Sequence, residues 1–365
     1  MNKLPKWVDI ALIPLINLFL ALVVSGFVVL YIGESPIEAI SIMVNGAVGS
    51  SYGWGYTLYY ATNFIFTGLA VSVSFQAKLF NIGGEGQAAI GGLGVALVCL
   101  AVPWPHWAMA LPFAVIGGAL FGAAWAAIPA FLQASRGSHI VITTIMFNFI
   151  ASALMVYLLV NVLKKPGSMA PETSRFPEGA FLPKGFDMFS ALGLPFSRSA
   201  PVNVSFFVAL LCCVLVYYLL WHTRLGYQIR AFGHSEPAAK YAGISPVKIT
   251  MITMLISGGL AGLMGINAVM GEAQRLVTDP VQGAGFVGIA VALMGRSHPL
   301  GVLLAGLLFG MLYQGGGELE FEIPAISREM ILVIQALVIL FTGALDNMIR
   351  MPIERFFVRA RKRAG

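Results

Sequence analysis

The stretch Phe80-Asn81-Ile82-Gly83-Gly84-Glu85-Gly86-Gln87 places a carboxylate, two side-chain amides and three glycines where the chain reverses between two apolar runs. An ionisable group at membrane depth is costly, so it faces protein or water and marks either a polar pathway or a structural pair. Glu85 can line such a path, accept backbone N–H bonds at a helix start, or pair with Lys78. Were residues 81 to 87 helical, Asn81 and Glu85 would share a face at i, i+4. Other polar residues fall inside apolar runs: Asn63, Thr143, Thr144, Asn148, Asn267 and Gln335. Each can hydrogen-bond a passing solute or bridge two helices. The candidate translocation path is therefore Asn63, Asn81, Glu85, Gln87, Asn148 and Asn267. These side chains are too few and too uncharged for a proton relay, which needs a chain of Asp, Glu or His across the membrane.

Metal and nucleotide chemistry find little support. Cys99, Cys212 and Cys213 all lie in apolar stretches, where a neutral thiol behaves as a small hydrophobe. The five histidines sit at run ends or in loops without metal-ligand spacing. Gly283-Ala284-Gly285-Phe286-Val287-Gly288 matches GxGxxG, but no strand precedes it, so a dinucleotide fold is not indicated. The chain contains no GxxxxGK[ST], and no metal or cofactor is expected to bind it. If ATP drives this protein, another polypeptide must bind the nucleotide.

A second segment, residues 223 to 247, differs in composition from every other loop. Ser235 can cap a short helix, Pro237 suits its first turn, and Gly243 suits its end, so one or two turns are expected over 236 to 242. Exposed small residues beside Tyr241 make a knob suited to a partner's groove, or an ordinary solvated connector.

The elements that must hold these residues are long apolar runs. Hydrophobic residues make up 58% of the 365 and charged residues 10%, against roughly 25% charged in a soluble domain. A bilayer core of roughly 30 Å needs about 20 apolar residues in a helix. The runs predict spans near 10–32, 57–75, 85–103, 107–132, 140–162, 204–222, 248–270, 284–296, 299–315 and 329–349. The expected fold is thus an all-α polytopic membrane protein of about ten transmembrane helices, forming one domain over residues 1–365. The first run is too long for a signal h-region and is read as a retained helix. Residues 284–315 fit either a hairpin or two half-helices meeting within the membrane.

Positive charge is retained on cytoplasmic loops. With the N-terminus inside, the cytoplasmic set holds 15 of the 22 Lys and Arg residues, and both termini are expected in the cytoplasm. The net charge of +6 lies between and beyond the spans, not on a folded face that would bind nucleic acid. Residues 163–203 form a long Pro-rich external loop, which can connect two halves or contact an external partner. Gly118-xxx-Gly122, Gly258-xxx-Gly262 and Gly306-xxx-Gly310 allow close helix approach, within one chain or across a dimer seam.

Three segments carry a resemblance: FNIGGEGQAAIGG at 80–92, GHSEPAAKYAGIS at 233–245 and GFVGIAVALMGRSHPLGVLLAGLLFG at 285–310. They look like the permease subunits of bacterial ABC importers for nucleosides and simple sugars, the ribose-permease-like branch, over nearly the whole chain. The sequence departs from that pattern at Gly84, where relatives often carry Ala, and in its long external loop. The resemblance implies that Gly233, His234, Ser235, Glu236, Pro237, Ala238, Ala239, Tyr241, Ala242 and Gly243 belong to the coupling helix that docks on the ATP-binding cassette subunit. It also implies a second permease chain, identical or related, an extracytoplasmic substrate-binding protein, ATP and Mg on the partner subunit, and a bacterial plasma (inner) membrane location. The rival expectation is an ion-gradient-driven secondary transporter or channel, which would show ionisable residues on several helices.

Overall fold

The computed structural model of the chain describes residues 13–190, 193, 196–341 and 351–352. In chain order its helices are α1 (Ile13–Ile32), α2 (Pro36–Val48), α3 (Ser51–Gln76), α4 (Gly84–Ala101), α5 (Trp107–Arg136), α6 (Ile140–Asn161), α7 (Gly185–Ser190), α8 (Ser205–His222), α9 (Arg224–His234), α10 (Glu236–Tyr241), α11 (Pro246–Gly262), α12 (Ala284–Met294), α13 (Pro299–Glu322) and α14 (Arg328–Ile339). A π-helix, Ile266–Ala273, follows α11. Among the described residues the only β pairing is a single bridge between Lys184 and Asn203. With no water to satisfy exposed backbone, helices are the form such apolar runs must take.

Among the described residues, seven helical segments are long and apolar enough to cross a membrane: α3, α4, α5, α6, α8, α11 continued by the π-helix, and α13. An eighth is reached only by joining Phe19–Ile32 to Pro36–Val48, which meet at 116°. The difference from ten expected spans has local causes. Residues 36–48, expected as loop, form α2 because Ser35 accepts from Glu38 N at the N-cap and Pro36 begins the first turn. The expected span at 284–296 is α12, whose 11 residues measure about 16 Å, half a bilayer. The span at 299–315 instead runs on to Glu322, so Glu318 and Glu320 are helical and not external loop. Of the expected last span, residues 342–349 lie outside the described residues, as do most of the basic residues at the two ends.

The chain divides into two compact units, Ser51–Gly310 and the pair Met1–Ser50 with Met311–Gly365. In the smaller unit Val29, Ala39, Leu319, Ile326, Ile331 and Ile334 make a common core. Gln314 Nε2 donates to Glu318 Oε1 at 2.9 Å, keeping that carboxylate partnered beside Gly46.

The larger unit is organised by glycine. A Cβ on Gly122 would strike the backbone of Gly258 and Gly262, and one on Gly118 would meet the Gly262 carbonyl. The motifs at 118–122 and 258–262 therefore pack against each other, joining α5 to α11. Gly91 of α4 closes on Gly262 from another side, and Gly306 and Gly310 lie on Ile65, Ala61 and Thr57 of α3. All three motifs are used within the chain, where small residues let backbones meet in lipid.

The expected loop 163–203 is partly ordered by pairing. Thr173 N donates to Leu276 O at 3.1 Å and Phe176 N to Gln274 O at 2.9 Å. Arg275 Nη1 meets Glu172 Oε1 at 2.9 Å, and Arg175 bonds Gln274. The loop thereby covers the chain that follows the π-helix.

Candidate functional site

Between α3 and α4 the elbow at 77–83 must satisfy its backbone groups. Ala77, Lys78 and Leu79 N–H reach back to the Ser74 and Phe75 carbonyls of α3, and past Asn81 side chains brought from elsewhere serve. Asn148 of α6 accepts from Gly86 N and donates to Ile82 O, both at 2.9 Å. Thr144, one turn earlier, accepts from Ile82 N at 3.4 Å. Asn81 and Gln87 form a reciprocal amide pair: Asn81 Nδ2 donates to Gln87 Oε1 at 2.9 Å and Gln87 Nε2 returns to Asn81 Oδ1 at 3.1 Å. Asn81 also accepts from Gly83 N and donates to Ser257 Oγ of α11, both at 2.9 Å. Ser257 passes its own proton to Ala70 O of α3 at 2.6 Å. Asn81 thus uses two donors and two acceptors, its full capacity.

Because the helix begins only at Gly84, Asn81 and Glu85 do not share a helical face. Glu85 turns instead to the start of α12. Its Oε1 accepts from Gly283 N and its Oε2 from Gly285 N, each at 2.8 Å. A carboxylate there also complements the positive end of the helix dipole. Lys78 is exposed, and Glu85's described partners are these amides.

A second knot gathers Asn63 and Asn267. Asn267 Nδ2 donates to Tyr59 O at 2.9 Å and Asn63 Oδ1 at 2.8 Å; its Oδ1 accepts from Asn203 Nδ2 at 2.9 Å and Ser205 Oγ at 2.8 Å. This amide too is saturated, and it ties the π-helix to α3, to the end of the long loop and to α8. The six path candidates accordingly fall into two groups. Asn81, Gln87, Glu85 and Asn148 meet at the elbow, while Asn63 and Asn267 meet in this second knot.

The segment at 223–247 is built differently. Thr223 caps α9, accepting from Gly226 N at 3.0 Å, and Ser235 caps α10, accepting from Ala238 N at 3.4 Å. Pro237 lies in the first turn of α10 as expected. At its end Gly243 takes the left-handed conformation, φ +81°, while its N–H donates to Lys240 O and Ile244 N to Ala239 O. Gly233 is pressed on the carbonyl of Gln76 at the end of α3, where a side chain would not fit. A pocket of about 290 Å³ lies beneath, lined by Lys78, Gln133, Phe232, His234 and Val247. Glu236, Pro237, Ala238, Lys240, Tyr241 and Ala242 are exposed, Tyr241 almost wholly at 98%. Ala239 is the exception: at 4% exposure it faces inward. It braces the helix and is not part of the surface offered outward.

The family model for the branched-chain amino acid transport system permease component matches residues 53–343. The chain belongs to that family. Among its relatives, the guanosine ABC transporter permease protein of Bacillus subtilis is 35% identical over 91% of this chain and 93% of the relative. The glucose ABC transporter permease protein of Haloferax volcanii is 33% identical over 93% and 88%, and a nucleoside ABC transporter permease protein of Lactococcus lactis 30% identical over 90% of each. No solved structure matches.

In this permease several participants escaped the sequence. Ser257, Asn203 and Ser205, with Thr144, complete the two knots, and Gly283 with Gly285 receive Glu85. Thr144 was noted as polar within an apolar run but not placed among the path candidates; Ser257 and Ser205 looked like ordinary small residues. The glycines had been noticed only as a nucleotide-motif coincidence, and their use is to bare two N–H groups at a helix start.

Proposed function

We propose that this permease is one transmembrane subunit of an ABC importer that carries a nucleoside or simple sugar inward across the bacterial plasma membrane. Work comes from ATP and Mg bound on separate cassette subunits, with α10 as the coupling helix. A second permease chain completes the path, and an extracytoplasmic binding protein delivers the solute. The family description names branched-chain amino acids, but the guanosine, nucleoside and glucose permeases align over about nine-tenths of this chain and support a nucleoside or sugar as the cargo.

The reading rests chiefly on α10. It is a short helix stopped at both ends and exposed on one side; it packs on α9 and α11, and α9 in turn seats Gly233 on the end of α3. Motion imposed on it passes into the membrane-crossing α11 and, by way of α9, into α3. A groove of about 840 Å³ beside it, lined by Trp221, Arg224, Tyr227, His234 and Ala238, offers further contact to the same partner. The topology that accompanies this reading has ten passages and both termini cytoplasmic. We place the solute path beside the two amide knots, along the elements they hold, since every amide in them is already bonded within the protein.

The test is uptake by the assembled transporter in vesicles, comparing wild type with Tyr241→Asp and Glu236→Trp. Loss of ATP-driven uptake with normal insertion is expected. Unimpaired uptake in both variants overturns the coupling role. Concentrative uptake by this chain alone, driven by a sodium or proton gradient, overturns the ABC reading altogether.

A further inference from the structure

The end of α3 remote from the coupling segment carries Tyr52, Tyr56, Tyr60 and Phe64, four aromatic rings at successive i, i+4 positions and so on one helix face. Their rings form a stair. Centroids of Tyr52 and Tyr56 are 4.7 Å apart, those of Tyr56 and Tyr60 6.2 Å, and those of Tyr60 and Phe64 6.5 Å with planes only 18° from parallel. The foot is closed, since Phe64 is 1% exposed and stands edge-on to Phe309 at 6.5 Å.

We propose that Tyr52, Tyr56 and Tyr60 form a stacking track for the base of a nucleoside at the outer mouth of the path. The inference rests on the importer reading above and narrows its cargo. Tyrosines at a membrane interface ordinarily form a belt at headgroup level. This stair goes deeper. Nine residues separate Ser51 from Tyr60, a rise of about 14 Å along a helix that overshoots the hydrocarbon core by only a few ångströms at each end.

Its face is not a lipid face either. Glu272, an exposed carboxylate, ends the π-helix whose Asn267 is bonded to the Tyr59 carbonyl, so the π-helix stands beside this end of α3. An exposed carboxylate there belongs beside water or solute, not acyl chains. The stair is also held in place from behind, because Asn267 binds the carbonyl of Tyr59 and the side chain of Asn63. Tyrosine presents a large contact area with only two side-chain torsions to order.

The chemistry of the rungs selects the class of solute. A nucleobase has a conjugated face and gains about 1–3 kcal/mol per stacked aromatic. A monosaccharide has no conjugated face and depends on several convergent polar groups.

The experiment uses the assembled transporter in vesicles and radiolabelled guanosine, uridine, ribose and glucose. Wild type is expected to take up the nucleosides in preference to the sugars. The paired change Tyr56→Leu and Tyr60→Leu should raise the half-saturating nucleoside concentration about tenfold or more. Phe at the same two positions, which keeps the rings, should restore it to within about threefold. Tyr52→Leu, at the exposed top of the stair, supplies a variant that leaves the buried packing intact and should show a smaller increase. Unchanged half-saturation in Tyr52→Leu and in whichever Leu pair inserts would overturn the track. ATP-driven uptake of sugars alone would overturn the nucleoside assignment while leaving the importer reading standing. Uptake indifferent to ATP would instead remove that reading.

Discussion

The elbow at 77–83 and the segment at 223–247 are both breaks between membrane helices, yet they solve the break in opposite ways. At the elbow Asn81 and Gly83 are buried and Ile82 half-buried, and Gln87, Ser257, Asn148 and Thr144, from three helices, close with Asn81 the donors and acceptors noted above. At 223–247 the chain ends its helices with local devices, Thr223, Ser235 and Gly243, and leaves most of α10 in the open. Burial in a water-poor interior demands tertiary partners, since an unmet polar group there is expensive. Exposure permits self-contained caps and frees a surface for another protein.

That contrast makes an ordered set of stability predictions. Asn81→Leu should do the most damage, stranding Gln87, Ser257 and Gly83 N at once, with a loss of about 3 kcal/mol. Thermal melting in detergent reads it, and a small shift would mean that the elbow is wetter than its bonds imply. Glu85→Gln should come next. The amide offers one acceptor and points a donor at the second glycine N–H, a loss of about 1–2 kcal/mol. If transport survives while melting falls, Glu85 holds α12 in place; if transport fails with melting unchanged, it touches the solute.

Ser235→Ala should remove a cap worth about 1 kcal/mol to α10 alone. Faster amide hydrogen exchange confined to residues 236–242 is the expected signature. Tyr241→Asp should change overall stability by less than about 0.5 kcal/mol, although ATP-driven uptake collapses. A marked drop in melting temperature for this last variant would erase the distinction between the two regions.

The same division explains what could be read in the sequence. Ser235, Pro237 and Gly243 announced α10 because caps act over three or four residues. The long apolar runs announced the crossing helices for a similar reason, length being a local property. Glu85's partners lie 198 and 200 positions away, and no local pattern encodes such a pairing. Asn63 and Asn267 could be flagged as polar in apolar surroundings, but their union across 204 positions could not. The turn of α1 into α2 was missed because hydropathy counts apolar residues without registering where the backbone bends; for the same reason 284–315 fitted a hairpin or two half-helices equally, and only α12 is of half length. Ala239 was misplaced on the outer surface for want of the helix face, which packing decides.

Where α4, α5 and α11 cross, glycine brings main chain onto main chain at Gly91, Gly118, Gly122, Gly258 and Gly262. Such seams contain no side-chain rotamers that could switch, so sliding one helix would force the others apart. These three helices should therefore travel as one lever during the transport cycle, with bending displaced to junctions that lack glycine seams.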